Sequence, residues 1–141
     1  MRPFPLEILS PERAFYRGEC LSLTVPLQDG LIGIQAHHAP LTAAIPEGEL
    51  AFTRPDGARI LCAVTNGILD VSADGRVRLL CESALLPEEI DEEKERRAAE
   101  EALASLRRKE GEREYLLAKL TFARAVNNLR VKRHSEQRDE Q

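Results

Sequence analysis

The sequence contains no tryptophan, few other aromatic residues and no long hydrophobic run. Aromatic residues make up 4 % of its 141 positions, although 43 % of the positions are hydrophobic. A membrane-spanning helix needs about 20 consecutive apolar residues, and no stretch of the sequence approaches that length. The N-terminal residues 1–4 also do not begin an apolar h-region of the kind that a secretory signal contains. We therefore expect a protein of the cytoplasm with a modest hydrophobic core.

Cysteine is scarce as well, and its three occurrences form no recognisable pattern. Cys20, Cys62 and Cys81 each lie in a short apolar stretch, and none belongs to a C-x-x-C pair. Disulfide frameworks use even numbers of cysteines, and zinc sites use closely spaced ones. The pattern therefore favours three buried, reduced thiols with a structural role.

A surplus of positive charge is missing too. The formal net charge is −4, with a sequence pI near 5.5. A protein that binds the phosphate backbone of nucleic acids needs clustered surplus lysine and arginine to neutralise it. The charge balance therefore argues against a nucleic-acid partner.

Signatures of catalytic chemistry are absent from the sequence. There is no G-x-S-x-G, no H-E-x-x-H and no G-x-x-x-x-G-K-[ST]. His37 and His38 are adjacent, so on a strand they would face opposite sides, and no third metal ligand is apparent. The acidic residues 88–95 lack the spacing of a calcium loop and indicate a solvated helix start. We predict no catalytic residue, no metal site and no enzyme activity.

Turn signals at regular intervals divide residues 1–87 into short strands. The turns lie at residues 10–12, 28–30, 46–48, 55–57 and 73–75. Several contain Asp-Gly, a pair that adopts the positive φ angles of tight hairpins. Apolar stretches lie between them, at residues 4–8, 20–25, 31–34, 49–53, 58–64, 68–71 and 77–80. This spacing predicts an antiparallel sandwich or barrel, and Pro26 is expected to end the strand that precedes it.

The chain changes character after Pro87. Residues 1–87 contain 10 acidic and 7 basic side chains, whereas residues 88–141 contain 14 and 13. The second region has helical periodicity, with acidic residues near Asp91 at its start and Gly111 as a break. A short connection between two helices predicts an antiparallel hairpin over residues 88–133. The polar residues 134–141 are predicted to form a disordered tail.

The end of the first predicted helix and both apolar faces of the second are marked by particular side chains. Three basic residues suit the C-terminus of the first helix: Arg107, Arg108 and Lys109.

The second helix is predicted from about residue 112 to residue 131. It carries one apolar stripe at Tyr115, Ala118, Phe122, Val126 and Leu129, and another at Leu116, Leu120 and Ala123. A hairpin needs one stripe on each arm. The second stripe indicates a further partner or permanent packing on the β-domain, and periodicity does not decide between these alternatives.

Residues 30–41 form an apolar turn of unusual composition, Gly-Leu-Ile-Gly-Ile-Gln-Ala-His-His-Ala-Pro-Leu. This segment is similar to the G-[ED]-[LIF]-G-I-x-x-x-H-A-P-L signature of ATP synthase epsilon subunits. Residues 10–13 resemble the family's early T-P-[ED]-x turn, and residues 66–71 resemble its G-G-[FI]-L-E-V segment. Residues 90–91 and 124–129 resemble its two C-terminal helices. Over residues 4–131 the chain thus resembles the epsilon subunit of bacterial F-type ATP synthases.

The resemblance implies an α+β fold, with an N-terminal antiparallel β-sandwich (residues 1–87) before the C-terminal antiparallel two-helix hairpin. In this family the sandwich contacts the gamma subunit and the polar loops of the c-ring, and helps couple ion translocation to ATP synthesis. The hairpin extends toward the alpha and beta subunits and inhibits ATP hydrolysis. The resemblance therefore implies a non-catalytic central-stalk subunit, bound peripherally at the cytoplasmic face of the cell membrane.

The resemblance also implies an interface with gamma and the c-ring. His38 falls on the motif histidine that faces gamma. Leu31 departs from the family, which usually has a carboxylate at that position, and this puts an electrostatic contact with the c-ring in doubt. The implied interface comprises Leu31, Ile34, Gln35, Ala36, His37, His38, Ala39, Pro40 and Leu41.

Some bacterial relatives bind ATP on the hairpin through the patterns [IL]-D-x-x-R-A and R-A-x-N-R-L. Ile90, Asp91 and Arg124 match these patterns, but Lys94 and Asn128 occupy two arginine positions. Lysine lacks the planar fork of arginine, and asparagine lacks its charge. We therefore predict little or no ATP affinity and no cofactor. The alternative function is a small chaperone-like adaptor with a β-body and a helical arm.

Overall fold

The computed structural model describes residues 1–108 and 111–139, with only the backbone described at residue 139. The chain divides into two compact units, Met1–Leu86 and Pro87–Gln141. This division lies one residue before the predicted boundary.

The first unit is a β-sandwich of two five-stranded sheets. Its strands are β1 (Phe4–Leu9), β2 (Ala14–Cys20), β3 (Ser22–Leu27), β4 (Gly30–Ile34), β5 (Leu41–Ile45), β6 (Gly48–Thr53), β7 (Arg59–Val64), β8 (Gly67–Val71), β9 (Val77–Cys81) and β10 (Ala84–Leu85). The first sheet has the order β2-β1-β9-β8-β5, and the second has the order β10-β7-β6-β3-β4. The predicted sandwich is therefore confirmed.

One strand pair departs from the antiparallel prediction. β1 and β9 run parallel, with Leu6 opposite Val77, whereas the other registered pairs are antiparallel. A tight turn forces two consecutive strands to run in opposite directions. The strands β1 and β9 are separated by seven others, so no turn sets their relative direction.

Alternation of buried and exposed residues places the core between the sheets. In β9, for example, Val77, Leu79 and Cys81 are buried, whereas Arg78 and Leu80 are exposed. Successive side chains of a strand point to opposite faces, so each strand contributes one side to the core. The three cysteines are buried and free, as predicted. Burial raises the pKa of the Cys20 and Cys81 thiols to about 11.

The turn pattern does not predict β2, β5 or β10, and it ends β3 too early. Of the residues in β2, only Cys20 is buried, so this edge strand lacks a clear alternating pattern. Pro26 lies inside β3 because pairing with β6 stops at Thr24. Beyond that point no ladder bond on the β6 side needs the N–H that proline lacks. Gly48 leaves room for the proline ring, since a Cβ there would lie 2.8 Å from Pro26 Cγ.

The second unit begins with a short 3-10 turn, Pro87–Glu89, and continues as the predicted helical hairpin. Its helices are α1 (Glu92–Arg108) and α2 (Glu112–Asp139), which pack against each other. Asp91 caps α1: its carboxylate accepts a hydrogen bond from the backbone N–H of Lys94 at 3.2 Å. Such a cap satisfies a backbone donor that the helix leaves free. The predicted role of Lys109 lies outside the described residues.

The predicted disordered tail is wrong for residues 134–139. Helix α2 continues past Arg133 to Asp139, six residues beyond the predicted end of the hairpin. No glycine or proline follows Arg133, so nothing in the sequence breaks the helix there. The polar composition of this segment suggested disorder, but it equally suits a helix whose surface faces water. Residues 140 and 141 lie outside the described residues.

Gly67 should tolerate no larger residue. A Cβ at this position would overlap the carbonyl oxygen of Leu80 and lie 2.9 Å from Cys81 Cα. Backbone atoms of a paired strand cannot move aside as a flexible side chain does. We expect Gly67→Ala to lower the free energy of unfolding by about 2 kcal/mol or more, measured by chemical denaturation.

The matched control is Gly33→Ala, in β4. A Cβ at Gly33 would meet no atom within 4 Å. This substitution should leave the unfolding midpoint nearly unchanged. Equal effects of the two substitutions would contradict the close approach at Gly67.

Candidate interaction surfaces

Residues 30–41 connect the edges of the two sheets. They begin as β4, the edge strand of the second sheet, and end at Leu41, where β5 forms an edge of the first sheet. Residues 35–40 lie between these strands outside helix and strand. Pro40 is compatible with this extended path, because the residue before a proline avoids helical conformation. The segment thus spans one side of the sandwich rather than forming a simple hairpin.

The two histidines of this loop have different partners. His37 has a φ of 69°, unusual for a residue with a side chain, and its Nε2 lies 3.4 Å from an Arg2 guanidinium nitrogen. His38 Nδ1 lies 2.7 Å from the carbonyl oxygen of Ala39. A carbonyl oxygen only accepts hydrogen bonds, so Nδ1 of His38 is the donor. In the neutral ring, Nε2 then remains as an acceptor for a partner.

A groove of about 480 Å³ brings part of the implied interface together. Its lining is Met1, Ser22, Leu23, Thr24, Gly33, Ile34, Gln35, Ala36 and His38. The other predicted interface residues do not line it. Leu31 lies on β4 with 71 % of its surface exposed, and Leu41 begins β5. The implied interface is therefore a groove with separate flanking positions, His37, Ala39 and Pro40 among them.

A second apolar surface lies on the first sheet. Ile68 and Leu80, which form it, are not among the interface residues that the family resemblance implied. Ile68 and Leu80 are directly opposite each other on β8 and β9, and they are 51 % and 47 % exposed. They line an apolar groove of about 440 Å³. Its other lining residues are Leu9, Ser10, Pro11, Asn66, Gly67, Cys81 and Glu82. Alternation contained the signal: if Leu69 and Val71 face the core, Ile68 faces outward. We call this surface the Ile68–Leu80 groove.

The residues that resemble an ATP site have mixed environments in the second unit. Ile90 and Asn128 are buried, whereas Lys94 and Arg124 are exposed. The Asp91 carboxylate is occupied in capping α1. At position 128 the ATP-binding pattern has an arginine, whereas this chain has the buried, uncharged Asn128. An uncharged side chain cannot supply a positive charge to phosphate.

The two apolar stripes predicted on α2 differ in exposure. From the first stripe Ala118 is buried and Phe122, Val126 and Leu129 are half-buried, while Tyr115 is exposed. The second stripe is exposed throughout, with Leu116 at 55 % and Leu120 at 56 %. Leu117 is exposed beside them. One end of α2 therefore presents an apolar face, consisting of Tyr115, Leu116, Leu117 and Leu120, to solvent.

The two adjacent histidines do not lie where the sequence placed them. His37 and His38 lie in a loop rather than on a strand, so strand geometry does not separate them as the sequence suggested. Even so, no group of three or more His, Cys, Asp or Glu side chains lies together among residues 1–108 and 111–139. None of the helices described is long and apolar enough to cross a membrane.

The fold and these surfaces define a β-sandwich followed by a helical hairpin, with exposed apolar faces on both. Residues 3–87 match the family described as ATP synthase, Delta/Epsilon chain, beta-sandwich domain. The ATP synthase epsilon chain of Caldanaerobacter subterraneus subsp. tengcongensis is 35 % identical over 130 residues, covering 92 % of this chain and 94 % of the relative. That of Ruminiclostridium cellulolyticum is 35 % identical over 129 residues, covering 92 % and 95 %. The chain belongs to the ATP synthase delta/epsilon family, whose epsilon chains are non-catalytic.

Solved structures share the fold at lower identity. A chain of the Euglena gracilis mitochondrial ATP synthase, in a structure of OSCP/F1/c-ring, matches with a TM-score of 0.76 and 21 % identity, covering 86 % of this chain and 76 % of that one. A chain from the central stalk/c-ring structure of the Tetrahymena thermophila enzyme matches with a TM-score of 0.53 and 15 % identity, covering 60 % and 67 %. At this level of identity the likeness concerns the fold.

The His38 tautomer is directly measurable. We expect the neutral imidazole to carry its proton on Nδ1, because Ala39 offers only an acceptor. Long-range proton–nitrogen NMR correlation on selectively labelled protein distinguishes the two ring nitrogens. A neutral His38 protonated on Nε2 would contradict the 2.7 Å contact.

Proposed function

We propose that this chain is the epsilon-type subunit of the central stalk of an F-type ATP synthase. It helps couple ion translocation through the c-ring to ATP synthesis and has no active site of its own. The observation that carries this proposal is 35 % identity over 92 % of the chain to a curated ATP synthase epsilon chain. As part of that complex it associates peripherally with the cytoplasmic face of the cell membrane.

The sandwich carries the surfaces proposed to bind the other rotor subunits. The Ile68–Leu80 groove is apolar and exposed, and interface cores are poorer in charged residues than the rest of a protein surface. We assign it to the gamma subunit, together with the groove of about 480 Å³ that His38 lines, which we call the His38 groove. Leu31 lies exposed at the sheet edge and is assigned to the polar loops of the c-ring. A leucine there offers apolar contact instead of an ion pair.

The hairpin is proposed to inhibit ATP hydrolysis by reaching the alpha and beta subunits. Its support is the exposed apolar face at the start of α2. Leu116, Leu117 and Leu120 are each more than half exposed, so α1 does not use this face. Burial of apolar surface stabilises an association by about 25 cal/mol per Å² before the costs of binding are subtracted. A helix with such a free face suits a partner outside the chain.

Reconstitution of the catalytic head with gamma tests the proposed function. The full chain and a chain ending at Leu86 should both co-purify with gamma, because the sandwich carries the docking surfaces. Only the full chain should lower the rate of ATP hydrolysis. A full-length Leu80→Glu variant should lose gamma binding by at least tenfold, since it buries a charge in an apolar contact.

The control for this experiment is Leu31→Glu, a more exposed leucine outside the Ile68–Leu80 groove. It should bind gamma as the unmodified chain does. A chain that neither binds gamma nor changes hydrolysis would refute the proposal. Promiscuous binding to unrelated unfolded proteins would support the chaperone-like adaptor instead.

The hairpin should not bind ATP tightly. Lys94 and the buried Asn128 replace two arginines of the ATP-binding pattern. Without these two guanidinium groups, few charge-assisted hydrogen bonds to phosphate remain. Isothermal titration calorimetry of the full chain should show no saturable heat with ATP at micromolar concentrations. Tight, stoichiometric binding would overturn this assignment.

A further inference from the structure

Lys132 connects α2 to the turn that precedes α1. Its Nζ donates a hydrogen bond to the carbonyl oxygen of Pro87 at 3.0 Å, in a partly buried position. The same oxygen accepts a hydrogen bond from the backbone N–H of Ile90 at 3.1 Å. A carbonyl oxygen has two lone pairs, and both are used here. One side chain near the end of α2 is therefore tied to the first residue of the second unit.

Burial along α2 supports a holding role for this end of the helix. Val131, next to Lys132, has no exposed surface, and Ala125 and Asn128 are almost fully buried. At the other end of the helix the apolar face from Tyr115 to Leu120 is open to solvent. The helix is thus buried mainly between Ala125 and Val131 and weakly covered in its first turns.

The chemistry of this hydrogen bond makes it stronger than most side-chain contacts on the surface. A charged ammonium donor forms a stronger hydrogen bond than a neutral donor does. The bond also joins residues 45 positions apart in the chain. It closes the hairpin at the end opposite the α1–α2 connection. Movement of α2 away from the Pro87–Glu89 turn must break it.

We propose that Lys132 is the latch of the hairpin, holding α2 on the Pro87–Glu89 turn. It is a positioning residue, since it sets how readily α2 opens without itself contacting a partner subunit. The regulatory consequence, that breaking the latch frees α2 to inhibit hydrolysis, rests on the proposed function. The latch itself concerns the second unit alone.

Hydrogen exchange of the full-length chain, read by mass spectrometry, tests the latch. Lys132→Met keeps an unbranched side chain of four heavy atoms in place of the lysine stem and removes the ammonium donor. We expect amides of residues 125–131 to exchange about tenfold faster in this variant, with the β-strands unchanged. Lys132→Arg, which keeps a cationic donor, should restore most of the protection. Arg133→Met is the matched control, because Arg133 is exposed and adjacent.

Three results would overturn the latch. The first is unchanged exchange in Lys132→Met, and the second is equal acceleration in Arg133→Met. The third is equal acceleration in the β-strands, which would indicate a general loss of stability. Hydrogen exchange of the isolated full-length chain tests the latch. The rates of ATP hydrolysis with the full and truncated chains test the proposed function. Each can therefore fail without the other.

Discussion

The sandwich depends on the close approach of β8 and β9, which allows the first sheet to close over the core. Gly67 makes this approach possible, because a side chain at that position would overlap the backbone of Leu80 and Cys81. With this pair in register, Leu69 and Leu79 point inward opposite each other and are fully buried. The same register turns Ile68 and Leu80 outward as neighbours. One constraint on backbone distance thus produces both a part of the core and an apolar surface for a partner.

The early turn and the last strand are linked by a second specific contact. A guanidinium nitrogen of Arg13 donates to the carbonyl oxygen of Ala84 at 2.9 Å, and its guanidinium carbon lies 5.3 Å from the centre of the Phe15 ring. Residues 10–13 therefore help place β10 at the edge of the second sheet. Arg13 and Gly67, which belong to segments that carried the family resemblance, thus have structural reasons for their residue types that do not involve partner binding.

Much of the fold was predictable because its signals are local. Asp-Gly turns mark hairpins, and Gly57 and Gly75 indeed adopt positive φ angles of 89° and 91°. Asp56 and Asp74 accept hydrogen bonds from the backbone N–H groups of Ala58 and Arg76, which lower the pKa of each carboxyl. The parallel pairing of β1 with β9 has no local signal, because it joins distant strands. Edge strand β2 lacked the alternation that burial on one face imposes.

The candidate surfaces were predictable only in part, because some of their residues are brought together by contacts that are distant in the sequence. The 30–41 segment was recognisable as a linear motif, and its His38 groove also draws on Ser22 and Thr24 from β3. The Ile68–Leu80 groove requires knowledge of which strands pair, which only the folded sheet supplies. On α2, the two stripes were visible in the sequence, and their different exposure depended on which face α1 covers. The Lys132 contact joins residues that are 45 positions apart in the chain, and no spacing rule indicates it.

The parallel pairing of β1 with β9 also has a consequence for synthesis on the ribosome. β1 is made first, but one of its two neighbours, β9, is complete only when residue 81 has been added. Pairings distant in sequence form slowly because the chain must first lose the entropy of a long loop. Until then the edge of β1 that β9 covers in the folded sheet has no partner, and an unpaired strand edge is a site for pairing with other chains. The first sheet therefore becomes complete late in translation, shortly before the helices α1 and α2 are made.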